Sequence, residues 1–140
     1  MATGVEECVT MFEYELEVRF RDCDPMGHVN NAVYLTYFEA ARFAWWRQIF
    51  GPTGLADHGF IVARAEVDFR KPALPGERLL IRVRVEKIGR SSFGVTYEVL
   101  NARTRELVAE GRSVQVAYDY AQNKSVPLSD DVRAKLETGY

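Results

Sequence analysis

The chain has 140 residues, two cysteines, a formal net charge of −2, and 47% hydrophobic against 27% charged residues. That fits a single domain, 1–140, large enough to bury a core without staples. It offers no basic run for nucleic acid, no disulfide framework, no metal-ligand spacing, no apolar run near the roughly 20 residues of a membrane span and no secretory leader pattern, so a reduced, cytoplasmic setting is expected.

The first predicted element is a strand over Glu13–Phe20. Tyr14, Leu16, Val18 and Phe20 alternate there with Glu13, Glu15, Glu17 and Arg19, the period of two of a half-buried strand. A turn-rich stretch, Arg21–Asn31, follows, punctuated by Asp, Pro, Gly and Asn. From Ala32 to Ile49 there is no Gly or Pro, and Gly51-Pro52 supplies a stop, which predicts a helix roughly 27 Å long. Asn30 or Asn31 can cap its start. Tyr34, Tyr37, Phe38, Ala41, Trp45 and Ile49 form one apolar stripe, and Val33, Leu35, Ala40, Phe43, Ala44 and Trp46 fill much of the rest. A helix apolar on most faces is expected to be enclosed.

Four further strands are predicted over Phe60–Phe69, Glu77–Ile88, Ser92–Leu100 and Glu106–Tyr120. Short turns between the last three favour antiparallel hairpins. Ala63, Ala65, Val67 and Phe69 share one face of the first of these, and Val114, Val116 and Tyr118 share one face of the last. A short helix is expected over about 129–138, with Asp130 and Asp131 at its positive end. Strand, long buried helix and four strands suggest an α+β hotdog fold: a curled antiparallel five-stranded sheet around a central helix, with a core of about 13–120.

The stretch Asp22–Arg42 reads D-x-D-x-x-G-H-V-N-N-x-x-Y-x-x-Y-F-E-x-A-R. It resembles the hotdog-fold thioesterases of the 4-hydroxybenzoyl-CoA thioesterase type, and the likeness extends over about Tyr14–Tyr118. That resemblance implies hydrolysis of an acyl-CoA, or an acyl carrier protein thioester, without a cofactor. It places the catalytic carboxylate on Asp24 and the polarising backbone N–H near Asn31. It also implies active sites at a dimer interface, in a homodimer or a homotetramer. Some branches carry His where this chain has Asn31, and the plant-type acyl-carrier thioesterases carry Asn where it has Met26, so mechanisms built on those side chains do not apply here.

The residues themselves permit this chemistry. A helix start offers unpaired N–H donors and partial positive charge, a ready site for a developing oxyanion. Asp24, seven residues before Asn31, can attack a thioester carbonyl or act as base on water. As the first residue of Asp-Pro it is also a turn-former. Asp22 is expected to brace the loop, and His28 to orient it or move a proton. Gly27, Asn30, Tyr34 and Glu39 are candidates for the substrate site. Glu39 otherwise pairs with Arg42, three residues on. Lys71, Arg90 and Ser92 are candidates for CoA, whose phosphates need cations. Cys23, between two acids, is expected to pack rather than react. The competing readings are a non-catalytic acyl-binding protein and a hotdog hydratase or dehydratase. For the latter, the Asp24 to His28 step is one residue short.

Overall fold

The computed structural model describes residues 11–52 and 59–138; Cys8 and His58 fall outside them. The elements run β1 (Phe12–Glu17), a single 3-10 turn (Phe20–Asp22), α1 (Val33–Phe50), β2 (Phe60–Phe69), β3 (Arg78–Ile88), β4 (Ser92–Asn101), β5 (Leu107–Asp119), β6 (Lys124–Ser125) and α2 (Asp130–Thr138). The strands pair antiparallel in the order β1-β3-β4-β5-β2, with β6 hung on β5. This is the expected hotdog arrangement. No helix among the described residues is long and apolar enough to cross a membrane.

The helix forms where breakers are absent. It stops where Gly51 adopts a positive φ of 82° and donates its N–H to the Arg47 carbonyl. Its buried residues are the predicted stripe plus Trp46. They pack on Leu79, Ile81 and Val83 of β3, Phe93, Val95, Tyr97 and Val99 of β4, and Ala109 of β5. The Phe38 ring stacks on Tyr97 at 4.2 Å, and burying each such large side chain contributes about 1.5–3 kcal/mol. That stack requires Gly111 on β5, because a Cβ there would meet Phe38 Cε2 at 2.7 Å and the Glu66 carbonyl oxygen at 2.5 Å. The Ser129 hydroxyl caps α2 by accepting the Val132 N–H, and Val132 and Leu136 dock on the core.

Several sequence expectations are corrected. Phe20, expected on the buried face of β1, is 88% exposed, because the strand ends at Glu17 and the chain turns. The helix is covered on one side only: Leu35 and Phe43 are exposed. Ala63, Ala65 and Phe69 are exposed too, since β2 is an edge strand paired only with β5. On β5 the core-facing positions are Ser113, Gln115 and Ala117, so the Val114, Val116 and Tyr118 face is the outer one.

Candidate active site

The loop between β1 and α1 is pinned at its base by a buried carboxylate. Asp22 is 3% exposed. It accepts the Arg19 N–H at 3.0 Å, Arg19 Nε and Nη2 at 3.2 and 3.0 Å, and the Tyr37 hydroxyl at 2.8 Å. Burial alone would raise its pKa; the hydrogen bonds from Arg19 and Tyr37 outweigh it and hold the carboxyl below its ordinary value. Burial, then the hydrogen bond to Asp22, pushes Tyr37 up. The Asp22 carbonyl also accepts the Asn30 N–H, and Val29 N–H reaches the Ala73 carbonyl, both within 3.0 Å. Strand end, both loop legs and helix are thereby joined. The expectation that Asp22 braces the loop agrees with this geometry.

Beyond that base the loop doubles back. Cys23 pairs with Val29 in an antiparallel bridge. Asp24 N–H donates to the His28 carbonyl at 3.0 Å, and Gly27 N–H to the Asp24 carbonyl at 2.9 Å. Gly27 takes a positive φ of 91°, which a residue without Cβ adopts freely. The Asp24 Oδ1 accepts the Met26 N–H at 2.9 Å, so the turn-forming role of Asp24 is real. Its Oδ2 has no hydrogen-bond partner among the described residues. His28 is half-buried, and its side chain likewise has none.

At the helix start Ala32 is the cap residue, and Asn30 supplies the side-chain oxygen, accepting the Ala32 N–H at 2.9 Å. Asn30 and Asn31 carbonyls accept from Val33 and Tyr34. The Asn31 N–H donates to no group among the described residues, and Asn31 is exposed. The loop thus presents a half-buried carboxylate, and the helix start presents an unengaged donor in its positive end.

The other candidates disperse. Tyr34 is 2% exposed and packs against Tyr37 and Phe69, which favours its core role. Burial, with the Cys23 and Glu77 charges, pushes its pKa up to about 12. Glu39 does not pair with Arg42; Arg42 Nη1 donates to the Tyr97 hydroxyl at 2.9 Å instead. Glu39 and Arg42 both line a cavity of about 500 Å³ further along the helix. Lys71 is engaged by Glu106 at 2.8 Å. Arg90 is exposed in the β3–β4 hairpin, and its side chain has no partner among the described residues. Ser92, at the start of β4, lines an outer cavity of about 270 Å³ beside Arg64, Lys87 and Arg112. Cys23 packs against the core, and burial, with the Asp22 and Asp24 charges, raises its pKa away from thiolate chemistry.

Sequence reasoning missed a buried polar chain behind the Glu39 cavity. The Tyr97 hydroxyl lies 2.7 Å from Ser113 Oγ, which donates to Gln115 Oε1 at 2.6 Å. The available signal is the Ser113/Gln115 alternation on β5, opposite the Val114, Val116 and Tyr118 face.

A long helix laid on a curled antiparallel sheet, with an acidic loop folded at the helix start, defines a hotdog-fold thioesterase. A family profile described as thioesterase-like superfamily matches residues 18–136. The chain belongs to that superfamily. It is 32% identical to a 1,4-dihydroxy-2-naphthoyl-CoA hydrolase of Nostoc punctiforme over 135 residues, covering 91% of this chain and 87% of that protein. It is 27% identical to the long-chain acyl-CoA thioesterase FadM of Escherichia coli over 88% of this chain and 95% of that one. A Thermus thermophilus thioesterase solved in complex with coenzyme A and zinc superposes with a TM-score of 0.80 at 37% identity, covering 91% of this chain and 98% of the other.

Proposed function

We propose that this enzyme hydrolyses an acyl-CoA thioester to the free acid and CoA, with Asp24 as nucleophile or general base and the carbonyl oxygen held by the Asn31 N–H. What supports this reading is that one loop and the helix start it leads into carry both an uncommitted carboxylate oxygen and an uncommitted N–H among the described residues. Asp24 has one carboxylate oxygen fixed by the Met26 N–H and the other without a partner among the described residues. The Asn31 N–H, at the start of α1, is unengaged among the described residues. Water adds across the C–S bond: the acyl carbon gains oxygen, and the sulfur leaves as thiol. A donor aimed at the developing oxyanion is worth on the order of 3 kcal/mol. The names of the Nostoc, Escherichia and Thermus proteins support CoA as the thiol. Thiol release from a panel of short, long and aromatic acyl-CoAs tests it; binding of every member without thiol release would instead support an acyl-binding protein.

Arg90 is our choice for a contact to the CoA phosphates, since its guanidinium is exposed and uncommitted among the described residues, whereas Lys71 is held by Glu106. Arg90→Ala should raise KM several-fold and leave kcat nearly constant; an unchanged KM removes Arg90 from the site.

The working unit in this reading is a dimer, joined along β2. Among the described residues that strand pairs on one side only, and Val62 and Phe69 are exposed on it. An open edge of this length is an aggregation hazard that a two-fold partner removes. Light scattering at micromolar concentration should return twice the chain mass or a multiple of that; a stable monomer would rule the assembly out.

A further inference from the structure

The face of α1 that leads away from Asn31 is open. Leu35, Glu39 and Phe43 follow one another at four-residue spacing, and all three are exposed. Their line ends at the cavity of about 500 Å³. Most of its wall is apolar, from Phe43, Trp46, Phe60 and Phe93, and its polar side chains are Glu39, Arg42, Gln115 and the exposed Tyr120.

The donors in that wall are prearranged. Arg42 is half-buried and forms no ion pair among the described residues; one of its N–H groups is held by the Tyr97 hydroxyl. From there the hydroxyls point one way, Tyr97 to Ser113 and Ser113 to the Gln115 carbonyl oxygen. Gln115 is 2% exposed, and among the described residues its amide nitrogen has a single long contact, 3.5 Å to the Phe93 carbonyl. Arginine has five donors and no acceptor, and the Gln115 acceptor is already occupied. A buried polar chain ending in unmatched donors at an apolar cavity is unfavourable until an acceptor completes it.

We propose that this cavity takes the far end of an acyl chain bearing an oxygen there, which accepts from Arg42 and Gln115. The proposal rests on the thioesterase reading above and names its substrate class. Glu39 at the rim favours a hydroxyl, which can donate to it, over a second carboxylate, which it repels. Arg42 lies eleven residues beyond Asn31, about 16 Å along the helix axis, and its side chain leans back toward the helix start. An extended acyl chain advances about 1.3 Å per carbon, so roughly ten carbons reach about 12 Å, and the Arg42 side chain leaning back covers the remainder. The class is therefore a medium-chain ω-hydroxyacyl thioester.

The test compares kcat/KM for decanoyl-CoA, 10-hydroxydecanoyl-CoA and 9-carboxynonanoyl-CoA, alongside tryptophan fluorescence titrations with decanoic and 10-hydroxydecanoic acids, since Trp46 lines the cavity. The hydroxylated thioester should exceed decanoyl-CoA by about 20-fold or more, with the carboxylated one between them. Arg42→Met should shrink that ratio to within about threefold, and Tyr97→Phe, which keeps the ring stacked on Phe38, should lower it part of the way. Gln115→Leu reads the same ratio if Arg42→Met fails to fold. Hydrolysis of all three at similar rates, or a preference that survives Arg42→Met, overturns the cavity assignment and leaves the thioesterase reading standing. Selective quenching by the hydroxy acid with no thioester hydrolysed overturns the thioesterase reading and retains the cavity.

Discussion

Asp24→Asn should fold like the parent and lose turnover on its best acyl-CoA by about 10²–10⁴-fold, the range expected when a positioned acid–base group is removed. The substitution is chosen for what it keeps. The Asp24 Oδ1 accepts the Met26 N–H at 2.9 Å, and an asparagine carbonyl oxygen can do the same, so the turn survives. The charge and the basicity of the second oxygen do not survive. A melting temperature within about 2 °C of the parent together with collapsed kcat isolates the chemical role. Thiol release at the parental rate would remove Asp24 from the mechanism. Asp24→Ala is the less informative variant, because it also releases the Met26 N–H and loosens the turn that Gly27 completes.

The element order was legible because each segment has an unambiguous local signal. Glu13 to Leu16 alternate strictly, and nothing between Val33 and Phe50 interrupts a helix. Position in the sheet was not legible, because it depends on partners distant in sequence. The Phe60–Phe69 alternation reads as half-buried, yet β2 sits at the edge, and most of its side chains are exposed. On β5 the inward face carries polar residues for a physical reason. Ser113 and Gln115 are tolerated inside only because Tyr97, from the neighbouring strand, and the Phe93 carbonyl meet them, and a single strand's sequence does not announce those partners.

The site divided in the same way. Asp24, Gly27, His28, Asn30 and Asn31 are close in sequence, and local hydrogen bonds gather them into one loop and helix start. Glu39 was expected to take Arg42 because three residues separate them, but the Tyr97 hydroxyl, 55 residues away from Arg42, takes the guanidinium instead. A helix-local rule of a few tenths of a kcal/mol yields readily to a tertiary hydrogen bond to a charged group, worth about 1.5–3 kcal/mol.

The carboxylate that positions Asp24 gives the second large effect. Asp22→Ala should destabilise the protein by about 2–4 kcal/mol at neutral pH, because it strips the buried Tyr37 hydroxyl of its acceptor and empties a packed site. Arg19 adds little to that figure, since its side chain is 60% exposed and the pair is screened on that side. The pH dependence has a definite sign. Asp22 titrates below its ordinary value of 3.8 in the folded state, so its contribution is fully present above that pH and is lost as pH falls through the lowered folded value. The gap in melting temperature between parent and Asp22→Ala should therefore be constant from about pH 8 down to about 5 and close in stronger acid. Turnover at pH 7 should also fall, because the Asp22 side chain ties the strand end at Arg19 to the helix at Tyr37, and the Asp24 geometry depends on that junction. A gap under about 1 °C at neutral pH, or one that widens as acid is added, would show that this carboxylate is not what holds the loop against the helix.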